Sequence, residues 1–124
     1  MIKNFEEHTQ ELSEIELSII PYLINGLKSK TKDNPIKAPE IVVAMNVFFA
    51  NKEIAIKMTE PRLRKCVNHI RSIGELPIIA TSKGYYISND REEILEQIES
   101  LRQRANSIIR TANGLKRILS NQTS

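Results

Sequence analysis

A chain of 124 residues, 40% hydrophobic and 27% charged, with four glycines and five prolines, has the composition of one globular domain and excludes a disordered or low-complexity protein. Its single cysteine excludes an intrachain disulfide and suits a reducing compartment. The net charge of +3 is small but unevenly placed: residues 1–25 hold five glutamates against one lysine, whereas residues 26–89 hold eleven lysines and arginines against five acids.

The segment from Met1 to Glu7 is polar and acidic, unlike a secretory signal, and no apolar run is long enough to span a bilayer. The expected location is therefore cytoplasmic, or nuclear in a host with a nucleus, with no membrane partner. Ser13 followed by Glu16 reads as a capping box, with Leu12 and Leu17 at staple spacing. Leu17, Ile20, Ile24 and Leu27 then recur at helical spacing, and Pro21 predicts a kink among them. The acidic run from Glu6 to Glu16 reads as a solvated, helix-starting face rather than as catalytic carboxylates. Lys28 to Asn34 is a basic loop, and Ile36 and Lys37 between two prolines are enough for a very short strand. Pro39 opens a second helix to about Ala50, with Ile41, Val42, Met45, Phe48 and Phe49 on its apolar side. Residues 51–58 carry no clear pattern.

Thr59 is an N-cap for a third helix, with Pro61 tolerated in its first turn. Its stripe is Leu63, Cys66, Val67, Ile70 and Ile73, and Gly74 ends it in the left-handed conformation common after helices. Two β runs follow, Leu76 to Ala80 and Tyr85 to Ser88, joined by Thr81-Ser82-Lys83-Gly84 as a hairpin with a basic tip. Tyr85 and Tyr86 alternate across the strand, so one faces the core and one faces out. Asn89 or Asp90 caps a last helix that runs to about Leu119.

Within this order the run Thr59 to Ile87, TEPRLRKCVNHIRSIGELPIIATSKGYYI, resembles the recognition helix and wing of biotin-repressor-type helix-turn-helix domains. That family's pattern is roughly S-x-x-T-V-R-R-x-I-x-x-L-R-x-x-G-x-P-I-x-x-x-x-G-Y-x-L. Leu63, Arg64, Lys65, Val67, Ile70, Arg71, Gly74, Pro77-Ile78, Gly84-Tyr85 and Ile87 match it, allowing a one-residue offset before the proline. The chain is also similar to small phage- or prophage-encoded winged-helix proteins. The resemblance implies an α+β, mainly α fold: a winged helix-turn-helix of three helices and a hairpin wing over residues 1–89. A long helix over 90–119 and a disordered tail over 120–124 complete the expected organisation. Asn51 to Met58 departs from the pattern, being longer than the usual three- or four-residue turn.

With the stripe centred near Ile70, the opposite face of the third helix carries Pro61, Arg64, Lys65, Asn68 and Ser72, with Arg71 on one flank and Arg62 and His69 on the other. No acid lies along it after Glu60. Arginine and lysine donate to guanine and asparagine pairs with adenine, so this face suits a major groove. Arg62 and Arg71 at the edges suit phosphates, and Thr81, Ser82 and Lys83 would reach neighbouring backbone. A charged helix face alone is usually just solvated; the adjacent hairpin and its pattern turn the reading toward double-stranded DNA.

Cys66 and His69 have ligand spacing on one helix, but no second pair completes a zinc site and Cys66 falls on the apolar stripe, so a buried thiol is the better reading. No glycine-rich phosphate loop exists, and neither a cofactor nor an enzyme is implied. Ile94, Ile98, Leu101, Ala105, Ile108, Ala112, Leu115 and Leu119 form an unbroken heptad seam. Leu95 and Ile109 widen it, and Gly114 weakens the helix by roughly 1 kcal/mol. The first part of the seam is expected to pack back and the rest to project, with Ile98, Leu101, Ala105, Ile108, Ala112 and Leu115 making a homodimer or meeting a protein partner. The expected function is sequence-specific or semi-specific duplex binding through residues 59–73 and 76–88, by a transcriptional regulator or a replication or recombination accessory of a mobile element. The alternative is a protein-interaction adaptor.

Overall fold

The computed structural model describes residues 11–122 and is mainly helical, with four helices and one two-stranded antiparallel sheet among them. The chain forms two compact units, one up to Asn89 and one from Asp90.

Helix α1 (Glu14–Leu27) starts at the expected capping box: the Glu16 amide donates to Ser13 Oγ (3.3 Å) and the Ser13 amide donates back to Glu16 Oε1 (3.0 Å). It continues through Pro21. Its buried face is Glu16, Ile19, Ile20, Leu23 and Leu27, about one residue round from the expected stripe. Leu17, expected inside, is 46% exposed, while Leu12 packs into the core without it. The rotation follows from Glu16 being drawn inward by partners on another helix.

Helix α2 (Ala38–Asn51) carries Pro39 in its first turn and buries Ile41, Met45 and Phe49. It ends in a Schellman motif: Ile54 N–H donates to Phe49 O and Glu53 N–H to Ala50 O, with Glu53 at φ 55°. The unpatterned segment 51–58 is thereby fixed at its start. Its end is fixed by Asn46, whose Oδ1 accepts from the Met58 amide (2.7 Å) and whose Nδ2 donates to the Met58 carbonyl (3.1 Å). Met58 itself is fully buried.

Helix α3 (Glu60–Ser72) begins with Thr59 Oγ1 accepting from the Arg62 amide (3.3 Å). It ends with Gly74 at φ 69°, where the Glu75 amide closes on Ile70 O. Leu63, Cys66, Val67 and Ile70 are its buried face. Strands β1 (Ile78–Thr81) and β2 (Gly84–Ile87) pair in the register Ile78↔Ile87 to Thr81↔Gly84. The short strand expected at Ile36 is a single antiparallel bridge to Tyr85, with Ile36 N–H to Tyr85 O at 3.0 Å and Tyr85 N–H to Ile36 O at 2.8 Å. Gly84 permits this approach: it sits at φ 126°, and a Cβ there would lie 2.5 Å from the Ile36 carbonyl oxygen. Side chains of α1, α2, α3 and β1, with Leu12 and Met58, share one hydrophobic cluster.

Helix α4 (Arg91–Gln122) is capped by Asp90, which accepts from the Glu93 amide (3.0 Å). It passes through Gly114 and ends three residues beyond Leu119, so residues 120–122 of the expected tail are helical, and 123–124 lie outside the described residues. None of its residues is buried. Among the described residues no helix is long and apolar enough to cross a membrane.

Candidate nucleic-acid interface

The outward side of α3 has two edges with different chemistry. At the α1 edge, Glu16 is only 3% exposed. Its Oε2 meets Arg62 Nε at 2.8 Å and its Oε1 meets Lys65 Nζ at 2.8 Å, while the Ser13 amide also donates to Oε1. Arg62 also donates to the Lys57 carbonyl at 2.8 Å. Burial pushes the Glu16 carboxyl up, but the Lys65, Ser13 and Arg62 donors together outweigh it and hold the pKa at about 2. Arg62 and Lys65, placed by the sequence on the polyanion-facing surface, are thus ion-paired at the edge of the core, with side chains 33% and 21% exposed.

The other edge adjoins the hairpin. Arg64 is exposed and Arg71 half-buried, and both act on the hydroxyl of half-buried Tyr85. Burial raises the Tyr85 pKa, and the two guanidinium groups oppose that rise. Tyr86 is the more buried tyrosine, at 5% exposure, but it is Tyr85 that packs against the hydrophobic cluster, while Tyr86 lies on the opposite face of the hairpin beside Ile79. Between the edges Asn68 and His69 are half-exposed and Ser72 is exposed, its hydroxyl donating to His69 O at 2.8 Å.

At the hairpin tip, Thr81 Oγ1 accepts from the Lys83 amide and donates to the Gly84 carbonyl, both at 3.2 Å, so this hydroxyl builds the turn. Ser82 and Lys83 stand exposed at its apex. Lys32, Pro35 and Tyr86 join these three residues around a concavity of about 260 Å³. Lys83 and Lys32 give it positive character.

Cys66 is fully buried, and burial, with the nearby Glu16 charge, pushes its thiol up to about 11. A thiol so placed is protonated at neutral pH and is no nucleophile.

Sequence reasoning missed Glu16 as an anchor. The signal was present: Glu16, Ile20, Leu23 and Leu27 are spaced four, three and four apart, so a stripe drawn through the buried residues includes a carboxylate. Lys32 was read only as loop. On α4 the seam residues lie on one face, with Ile98 38%, Leu101 41%, Ile108 68% and Leu115 64% exposed, and Ala105 and Ala112 exposed beside them. Compared with protein-family models, curated proteins and solved structures, the chain matches none.

Proposed function

We propose that residues 11–89 are a winged-helix unit that binds duplex DNA, with α3 in the major groove and the β1–β2 hairpin as the wing. The element order supports the fold reading: helix, bridged strand at Ile36, helix, helix, hairpin. The observation that carries the functional reading is the meeting of α3 and β2. Arg64 and Arg71 lie within electrostatic reach of Tyr85, so the cationic edge of the helix and the hairpin form one surface. In this reading Arg64 and Asn68 address base edges, and Lys83, with Lys32 at the tip, addresses phosphates. Arg62 and Lys65 orient α3 through Glu16.

The test is fluorescence anisotropy of a labelled random duplex, titrated at several salt concentrations with the wild type and an Arg64→Ala/Lys83→Ala variant. The wild type is expected to weaken linearly in log affinity against log salt, and each lost phosphate contact to flatten that slope by about 0.9. Absence of binding at low salt, or an unchanged slope in a folded variant, rejects the reading.

One observation favours a protein-interaction adaptor as the second reading. From Ile41 to Asn51, α2 carries no charged residue, and it exposes Val43 at 64% and Val47 at 56%. If duplex binding is absent, that face is where a protein partner would dock.

A further inference from the structure

We infer that α4 pairs antiparallel with α4 of a second copy of this chain. The inference does not rest on DNA binding. Helix α4 runs 32 residues, about 48 Å at 1.5 Å per residue, and buries none of them. A stripe of this length and spacing is the pattern of a two-stranded coil. A second copy offers a face of matching length and period.

The orientation follows from side-chain size and from charge. In a parallel pair, Ala105 would face Ala105 and Ala112 would face Ala112, leaving two thin layers, one on each side of Ile108, in the middle of the seam. An antiparallel pair centred between Asn106 and Ser107 sets Ala105 against Ile108, Leu101 against Ala112, Ile98 against Leu115 and Ile94 against Leu119. Every alanine then meets a large residue. The same register overlays the two helices end to end, since Arg91 and Gln122 are equidistant from that centre.

Charge agrees. The first turns carry Glu92, Glu93, Glu96 and Glu99, while beyond Glu99 α4 has no acid and carries five cations. Antiparallel pairing brings the acidic end beside Lys116 and Arg117 of the second copy, and it also opposes the two helix dipoles. Parallel pairing would set glutamates against glutamates. The central Arg102, Arg104 and Arg110 are basic in either arrangement, so the ends decide.

The experiment uses the full chain without DNA. Sedimentation at micromolar concentration is expected to give twice the 14.2 kDa chain mass. A spin label is then placed on Ser120→Cys, outside the seam, with buried Cys66 left as it is. Antiparallel pairing sets the two labels about 40 Å apart, whereas parallel pairing brings them within about 15 Å. As a second measurement, an Ile98→Cys chain is mixed with a Leu115→Cys chain under mild oxidation, and mixed disulfide dimers are expected. A monomer, a trimer or larger assembly, a short label distance, or disulfides formed within each single population overturns the inference.

Discussion

Replacing Glu16 with glutamine removes the one negative charge under Arg62 and Lys65 while keeping side-chain volume and a capping acceptor. A carboxyl held at about 2 instead of 4.5 corresponds to about 3 kcal/mol of stability at neutral pH. Arg62 and Lys65 keep 33% and 21% of their side-chain surface in water, so in the variant both can rehydrate. The expected loss at neutral pH is therefore smaller, about 2 kcal/mol. Because the folded pKa lies below the unfolded one, this stability is complete above 4.5 and is lost as pH falls toward 2. Urea unfolding of both proteins across that range reads it directly, and taking their difference cancels the titration of every other carboxylate. The gap should be full at neutral pH and close in acid. A gap that is absent at neutral pH, or that persists unchanged in acid, refutes the clamp. The same variant should bind duplex more tightly at low salt, since two cations are released at the α3 edge.

Three further substitutions test the supports of this surface. Gly84→Ala meets both an unfavourable φ of 126° and a carbonyl oxygen 2.5 Å from the new Cβ, so it should destabilise by about 3 kcal/mol in thermal or urea unfolding. Asn46→Ala removes both ties to the Met58 backbone and should lower stability by about 2 kcal/mol, with faster amide exchange at Met58. Glu53→Gly should do the reverse: relief of the left-handed strain at φ 55° is expected to raise stability by about 0.5–1 kcal/mol in the same unfolding assay.

Local signals were legible wherever they were self-contained. Ser13 with Glu16, Thr59, and Gly74 each set a helix end through hydrogen bonds between neighbours in sequence, and each end lies where those residues put it. Segment 51–58 was illegible because its order comes from elsewhere. Asn46 reaches it from twelve residues away, and Glu53 adopts the left-handed turn without being glycine. Glu16 was legible as a cap and illegible as an anchor, since its partners lie 46 and 49 positions later and nothing local announces them. A charge count therefore overstates the free cations on α3.

That overstatement bears on how the proposed interface would work. Arg62 and Lys65 share one buried carboxylate, so the trio presents a net charge of one, displaced toward the α1 edge. The cationic weight shifts to Arg64 and Arg71 beside the hairpin, and to Lys83 and Lys32 at its tip. Few phosphate contacts per copy means a shallow salt slope and modest affinity for one copy acting alone. Pairing through α4 would change this without any new contact to DNA, because the second copy would then bind at the high local concentration set by the first. The clamp and the seam are in this sense complementary. Glu16 fixes the angle of α3 at the expense of free charge, and an antiparallel α4 pair would restore affinity by joining two such surfaces.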